Sequence, residues 1–121
     1  MAKVEIIDTL KKEVLKKFKG ESPAIFRFMK SLEENPKKGK FIGQFAGFVV
    51  KELKYKKFRF YFIVEGSKIN IVSKEDLTDL LIRFIRMSDK KSQQKTINEI
   101  REILIKIGAG EFLKLEGVYC F

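Results

Sequence analysis

The sequence contains no histidine and a single cysteine, Cys120, among its 121 residues. One cysteine excludes an intramolecular disulfide. The absence of histidine excludes a Ser-His-Asp triad, a Cys-His pair and a His-ligated zinc site. No apolar run approaches the roughly 18 residues of a transmembrane helix, and the N-terminal stretch MAKVEIIDTLKK lacks the apolar core of a signal peptide. We therefore expect a cytoplasmic protein that does not enter the membrane.

Acidic residues are also in short supply, since 16 Asp and Glu stand against 26 Lys and Arg and the net charge is +10. Such an excess favours an anionic partner, namely nucleic acid, an acidic protein segment or an anionic membrane surface. The alternative is a Lys- and Glu-rich composition of the kind common in thermophile proteins. A length of 121 residues, with 45% hydrophobic residues, predicts a single folded domain over residues 1–121.

Two short helices are predicted near the N-terminus. Apolar residues at spacing four predict a helix over residues 9–19. Ser22, followed by a proline, predicts the start of a second helix, capped by the Ser22 side chain, that stops at the Asn-Pro pair of residues 35–36. Together they predict an antiparallel helical hairpin. A Gly-rich basic connector is expected to follow over residues 36–47.

The middle of the chain has the period-two alternation of β-strands. Strands are predicted over residues 48–55 and 58–64, and a short third strand over residues 67–73. In the second strand three aromatic residues share one face, which we expect to pack on the helices: Phe58, Phe60 and Phe62.

Residues 74–88 have two interpretations. A short helix over residues 74–79 followed by a strand over residues 80–87 is preferred, and a helical stripe is the alternative, because periodicity does not separate the two. Ser92 is then predicted to cap a final helix, and the apolar tail over residues 109–121 is predicted to dock on the body or on a partner. The predicted fold class is α+β, with an N-terminal helical hairpin packed on an antiparallel meander sheet and a C-terminal helix.

The stretch KELKYKKFRFYFI, residues 51–63, mixes five cations and one acid with apolar residues. Alternation predicts that Arg59 and Tyr61 point away from the helices onto an open sheet face, and that Glu52 and Lys54 share a face of the preceding strand. An open face with cations and a tyrosine can hold a phosphate backbone and stack a base. The alternative is a solvated strand whose lysines block edge pairing.

Two further segments are basic. In RFIRMSDKK, residues 83–91, Arg83 and Arg86 precede a connector into the last helix. Cations at a strand end beside a helix N-terminus form a candidate anion site, and the alternative is a polar connector. The loop KKGK, with Lys38 and Lys40, lacks the spacing of a P-loop and is a weaker candidate for backbone contacts.

The order of these motifs resembles the RelE/ParE toxin superfamily of type II toxin–antitoxin systems, in particular its RelE- and HigB-like members. The matching segments are KELK (51–54), FRFYF (58–62), FIRMSDKK (84–91) and SLEENPKKGKFIG (31–43), and the resemblance spans about residues 9–107. It implies a RelE-like fold and an endoribonuclease that cuts mRNA on the ribosome, uses no metal or cofactor, and inhibits translation. The implied partners are an acidic antitoxin, the ribosome and mRNA, and a homodimer is also open.

Carried over by position, the resemblance implies catalytic roles for Arg59, Lys54, Arg86 and Tyr61. We expect RNA contacts from the basic residues around them: Lys51, Lys56, Lys57, Arg83, Lys90, Lys91, Lys38 and Lys40. The Tyr or His that the family often has near the last helix is missing from residues 88–107, so Tyr61 or Tyr119 would replace it, or Lys54 or Glu52 would take the proton. The alternative function is a non-catalytic binder on the same fold, either a ParE-like gyrase inhibitor or an RNA-binding protein.

Overall fold

The computed structural model of this protein describes residues 2–66 and 80–107. In these residues the chain forms strands and helices in an α+β arrangement, as the sequence predicts. None of the helices in these ranges combines the length and the apolar character needed to cross a membrane. The elements in chain order are β1 (Lys3–Ile6), α1 (Asp8–Phe18), α2 (Ser22–Lys30), β2 (Lys40–Phe45), β3 (Phe48–Tyr55), β4 (Phe58–Gly66), β5 (Leu80–Asp89) and α3 (Gln93–Lys106).

The strands form one mixed sheet in the order β1-β5-β4-β3-β2. Each pair from β2 to β5 is antiparallel, as predicted for a meander. β1 pairs in parallel with β5, with Lys3 opposite Leu81 and Ile6 opposite Phe84. The prediction of a wholly antiparallel sheet is therefore wrong at this edge. A pairing between segments so distant in the chain leaves no local sequence pattern from which it could be predicted.

The Gly-rich connector predicted for residues 36–47 contains a strand, β2. This strand pairs with β3 and has an irregular register between Phe41 and Gly43. A side-chain carbon at Gly43 would come within 2.8 Å of the Phe45 ring. The glycine therefore allows a ring to approach the backbone of a strand, and its presence does not mark a loop.

The two N-terminal helices, α1 and α2, pack on one face of the sheet. The Phe-rich face of β4 lies against them, as predicted, because Phe60 and Phe62 are fully buried and the ring of Phe58 stands 5.0 Å from that of Phe18. The core on this side includes Leu10, Val14, Ile25, Met29, Leu53, Phe60, Phe62, Ile82 and Phe84.

The third helix, α3, packs on the opposite face of the sheet. Its Ile100 and Leu104 share a buried cluster with Val50, Tyr61 and Ile63. The prediction that this face is open is therefore wrong over the part that Tyr61 occupies, where the side chain is fully buried. The apolar stripe of an amphipathic helix needs a matching apolar surface, and β3 and β4 supply one.

The serines predicted as helix caps have other roles. α2 begins at Ser22 itself, whose hydroxyl donates to the Val14 carbonyl at 3.2 Å and so ties α2 to α1. α3 begins directly after Ser92, as predicted, but the Ser92 hydroxyl donates to the Asp89 carboxylate at 2.8 Å and makes no cap bond.

The strand interpretation of residues 80–87 is confirmed by β5, which runs from Leu80 to Asp89. The predicted strand over residues 67–73, the predicted helix over residues 74–79 and the predicted docking of residues 109–121 lie outside the described residues.

Candidate anion-binding site beside the β3–β4 turn

A pocket of about 440 Å³ lies at the end of the sheet where β3 turns into β4. Its lining comes from the facing ends of these two strands, from the turn between them and from the connector between β5 and α3. Six of the lining residues are cations and one is an acid, so the formal charge of the lining is six minus one, or +5. We call this site the cationic pocket; it is lined by Lys54, Lys56, Lys57, Arg59, Asp89, Lys90 and Lys91.

Strand register and a tight turn bring these cations together. Lys54 of β3 lies directly opposite Arg59 of β4, and Arg59 lies opposite Ser88 of β5. The turn between β3 and β4 consists of Lys56 and Lys57, since Tyr55 already pairs with Phe58. Lys56 has a φ of 54°, in the left-handed region that is costly for residues with a side chain. Two lysines in a two-residue turn therefore contribute to the lining next to the paired Lys54 and Arg59.

Arg59 is half-buried in the pocket wall, whereas the five lysines of the lining are exposed. Its side chain is 13% exposed, and its Nε lies 3.7 Å from the Oε2 of Glu52. That distance is too long for a hydrogen bond, and the buried Nε–H has no acceptor in the described part of the chain. A buried donor left unpaired costs about 1–3 kcal/mol. The guanidinium is thus held by its attraction to the Glu52 carboxylate, although the unpaired Nε–H lowers the stability of the fold.

The carboxylate of Glu52 connects Arg59 to α3. Glu52 is buried, and its Oε1 accepts a hydrogen bond at 3.2 Å from the Nε2 of Gln93, the first residue of α3. One carboxylate oxygen therefore faces the helix and the other faces the guanidinium. This contact fixes Arg59 relative to the N-terminal end of α3.

The single acid of the lining, Asp89, is engaged at the start of α3. Its Oδ1 accepts hydrogen bonds from the backbone N–H of Ser92 at 2.9 Å and from the Ser92 hydroxyl at 2.8 Å. These bonds hold the pKa of Asp89 below its ordinary value of 3.8. The carboxylate is consequently ionised at neutral pH and steadies the connector that carries Lys90 and Lys91.

A second acid, Glu21, contacts the pocket from the turn between α1 and α2. Its Oε2 accepts hydrogen bonds from the Lys56 ammonium at 2.6 Å and from the Tyr55 hydroxyl. The bond from Lys56, followed by that from Tyr55, lowers the pKa of Glu21, and the same carboxylate raises the pKa of Lys56. Among the described residues that line the pocket, Lys56 is therefore the one cation that donates a hydrogen bond to a carboxylate. Arg59 forms an ion pair with Glu52 but no hydrogen bond to it.

Two of the four predicted catalytic residues lie outside the cationic pocket. Tyr61 is buried under α3, where its hydroxyl and that of Ser88 are 2.9 Å apart, and burial raises its pKa. The expectation that Tyr61 lies on an open sheet face is therefore wrong. Arg86 lies beside α3 in a separate groove that includes Glu99 and Glu102, and its Nη1 donates to the Ile85 carbonyl at 2.8 Å. Neither residue lines the pocket that holds Lys54 and Arg59.

The predicted RNA-contact residues divide in the same way. Lys56, Lys57, Lys90 and Lys91 line the cationic pocket. Arg83 does not, because its Nε lies 3.3 Å from the Oε1 of Glu5 and its Nη1 lies 3.4 Å from the Oε2 of Glu65.

The remaining three predicted contacts lie away from the pocket. Lys51 donates from Nζ to the Lys37 carbonyl at 3.1 Å, and burial lowers its pKa. The Lys38 ammonium stands 4.6 Å from the centre of the Phe28 ring, and Lys40 is an exposed residue at the start of β2.

The sequence carries a signal for one of the two supporting residues, Glu52, and none for the other, Gln93. Glu52 is the one acid of residues 51–63, and alternation already places it on the same strand face as Lys54. An acid on a face with cations on both neighbouring strands is a candidate partner for one of them. Gln93 carries no comparable signal, because the contact depends on how α3 packs on the sheet.

Within residues 2–66 and 80–107, no group of three Cys, Asp or Glu side chains is placed to hold a metal ion. Comparison of the chain with protein-family profiles, with curated proteins and with solved structures gives no match. The chemistry of the site must therefore be argued from the pocket. Its cations can bind an anion and stabilise negative charge that develops on it.

Proposed function

We propose that this protein binds RNA through the phosphate backbone in the cationic pocket. We further propose that it is the toxin of a type II toxin–antitoxin system, a metal-independent endoribonuclease that cuts mRNA on the ribosome. The observation that carries the proposal is the convergence of Lys54, Arg59, Lys90 and Lys91 on one pocket from separate segments of the chain. A lining charge of +5 suits a polyanion, because each cation that meets a phosphate releases a counterion.

The two cross-strand cations have the central role in this proposal. Lys54 and Arg59 lie opposite each other and would contact non-bridging oxygens of the scissile phosphate. The 2′-hydroxyl loses its proton to water as its oxygen bonds to phosphorus, and the bond from phosphorus to the 5′-oxygen breaks, so the products are a 2′,3′-cyclic phosphate and a 5′-hydroxyl end that takes its proton from water. Negative charge grows on the non-bridging oxygens during this displacement, and cations already held in place stabilise it without reorganising. Arg59 is suited to this because its ion pair with Glu52 limits its motion.

The described lining offers few side chains that could transfer a proton during cleavage. The chain has no histidine, Tyr61 is buried, and Asp89 already accepts two hydrogen bonds from Ser92. The proposed cleavage therefore depends on aligning the 2′-oxygen with the phosphate and on charge stabilisation. We expect free RNA to be cut slowly and mRNA held by the ribosome to be cut faster, since the ribosome would supply that alignment.

The arrangement of elements fits the proposed family. Two N-terminal helices, an antiparallel β2–β5 meander and a final helix are the parts of a RelE-like fold, and we propose that α1 and α2 form its helical hairpin. An acidic antitoxin would be attracted by the net charge of +10 and would neutralise it.

A second candidate is an RNA-binding protein that blocks translation without cutting. It is favoured by one observation, namely that the described pocket lining holds no histidine or tyrosine and that its one carboxylate, Asp89, already accepts two hydrogen bonds from Ser92. The two candidates share the binding step and differ in whether new RNA ends appear.

Translation in vitro separates them. We would add the wild type, Lys54→Ala or the matched control Lys12→Ala, which removes an exposed lysine of α1 that does not line the pocket. Primer extension on the mRNA detects cuts, and fluorescence anisotropy with a labelled RNA measures binding. The wild type and Lys12→Ala should cut, and Lys54→Ala should cut about a hundredfold more slowly.

Three other outcomes are informative. Inhibition of translation without new RNA ends would favour the non-catalytic binder. Equal cutting by Lys54→Ala and the wild type would remove Lys54 from the site. A wild type that neither binds RNA nor slows translation would end the proposal.

A further inference from the structure

We propose that the cationic pocket recognises the sugar-phosphate backbone of an RNA strand over more than one phosphate and reads no base. This inference rests on the proposed function and narrows its substrate to RNA of any local sequence at this site. It concerns what the pocket contacts, and it holds whether or not the bound RNA is cut.

The chemistry of the lining carries the first step. Reading a base requires hydrogen-bonding groups arranged for its edge or a flat ring that stacks on it. The described lining has no aromatic ring, amide side chain or hydroxyl, and consists of five lysines, one arginine and one aspartate. A lysine ammonium is a mobile point charge that suits any phosphate oxygen. These side chains match the part of RNA that is the same at every nucleotide.

Arg59 is the lining residue best suited to read a base, through a bidentate contact to guanine, while Asp89, whose carboxylate could accept from cytosine, already accepts two hydrogen bonds from Ser92. Its Nε is buried and faces Glu52 at 3.7 Å, so that edge of the guanidinium is turned toward the protein. The rest of the guanidinium is a fixed positive charge in the pocket wall, and such a charge suits a phosphate oxygen.

The aromatic side chains of the β3–β4 hairpin do not line the pocket. Phe58 packs edge-to-face on Phe18, with their ring centres 5.0 Å apart. Tyr55 packs near the same ring, at 6.4 Å, and its hydroxyl donates to Glu21. Tyr61 is fully buried beneath α3. None of these rings is among the residues that line the pocket, so a base held there meets no ring of the lining on which it could stack.

The extent of the lining carries the second step. The cations belong to the ends of β3 and β4, to their turn and to the connector after β5. Neighbouring strands are about 4.8 Å apart, so these three strands spread the charges across about 10 Å. A single phosphate group meets only part of such a surface. Consecutive phosphates of one strand can meet all of it, and a mononucleotide should therefore bind much more weakly than an oligonucleotide.

Anisotropy titrations at fixed salt test the inference. Labelled U, A and GU-repeat oligomers of about twelve nucleotides are titrated with the wild type, Lys54→Ala and Lys12→Ala, and inorganic polyphosphate and UMP are added as competitors. We expect the three wild-type dissociation constants to agree within about threefold, and polyphosphate to displace the RNA where equal concentrations of UMP do not. Lys54→Ala should weaken binding to all three oligomers by the same factor, and Lys12→Ala should leave it unchanged.

The failures of the two proposals can be told apart. A preference of more than about tenfold among the oligomers, or a Lys54→Ala effect confined to one of them, would overturn this inference while leaving RNA as the ligand. Displacement by UMP as effective as by polyphosphate would also overturn it. If polyphosphate binds and none of the RNAs does, the proposed function fails and this inference fails with it.

Discussion

Glu52 of β3 and Arg59 of β4 are diagonal neighbours across the two strands and form an ion pair whose Oε2 and Nε atoms are 3.7 Å apart, too far for a hydrogen bond. The other oxygen of Glu52 accepts a hydrogen bond from Gln93, at the start of α3. Burying charges is costly unless the geometry of the pair is good, and here it is not. We therefore expect this pair to add little to the stability of the fold. Its effect is to hold the Arg59 cation at the wall of the pocket.

Replacing Arg59 with methionine tests how the pair is balanced. Arg59→Met leaves the buried Glu52 carboxylate with its hydrogen bond from Gln93 and without its ion-pair partner. We expect the free energy of unfolding to fall by about 3 kcal/mol, because a buried charge loses its partner. Glu52→Leu in the same chain removes that charge and should recover most of the loss. Urea denaturation of the two single variants and the double variant gives the coupling energy. Additive effects of the two substitutions would show that the pair does not interact.

Tyr61→Phe separates a buried structural hydroxyl from a catalytic one. The substitution removes the hydroxyl that lies 2.9 Å from that of Ser88 and keeps the ring in the core beneath α3. We expect a loss of about 1 kcal/mol in the free energy of unfolding, and RNA affinity and cutting within about twofold of the wild type. Ser88→Ala is the control, since it breaks the same contact from the other side. A folded Tyr61→Phe variant that loses cutting would return Tyr61 to the reaction.

Local pattern was enough to predict the elements that follow from one face of one segment. The alternation of Phe58, Phe60 and Phe62 predicted β4 and the side that meets α1 and α2. Apolar spacing predicted all three helices to within a few residues. It also left residues 80–87 as a choice between strand and helix, because a strand buried on both faces is apolar at nearly every position.

The residues that pack on the sheet face beneath α3 could not be predicted from local pattern, because this packing involves segments that are distant in the chain. Tyr61 was expected on an open face because alternation places it with Arg59 on the side away from α1 and α2, but β4 runs from the pocket into the region that α3 covers. The same strand face is therefore cationic at one end and apolar at the other, and Ile63 was the signal for this change. The pocket itself could be predicted in part, since Lys54 and Arg59 are local to one hairpin. Its closure by Lys90 and Lys91 required β5 to pair with β4.

The pH dependence of stability tests the contact between Glu21 and Lys56. The pKa of Glu21 is lowered from 4.5, so its contribution is complete above pH 4.5 and is lost as the pH falls through the lower folded-state value. The pKa of Lys56 is raised from 10.5, so its contribution is complete below that pH and is lost as the pH rises through the higher folded-state value. The stability gap between the wild type and Glu21→Gln should therefore be constant from about pH 5 to 10 and close in stronger acid. Urea denaturation across this range measures the gap, with Glu13→Gln on the exposed side of α1 as the control. A gap that widens in acid would contradict the assigned contact.

Arg83 and Lys57 have different surroundings, and we therefore expect RNA binding to depend on Lys57 but not on Arg83. Lys57 is an exposed residue of the pocket lining, whereas Arg83 lies between the carboxylates of Glu5 and Glu65. Lys57→Ala should weaken RNA binding and make the slope of log affinity against log salt shallower by about 0.7, the value for one phosphate contact on a single strand. Arg83→Ala should leave that slope unchanged and lower the free energy of unfolding by less than about 1 kcal/mol, because its ion pairs are partly exposed. Anisotropy titrations at several salt concentrations measure the slopes. Equal losses of slope in the two variants would mean that RNA follows the sheet toward β1, and the cationic pocket would then be one part of a longer binding surface.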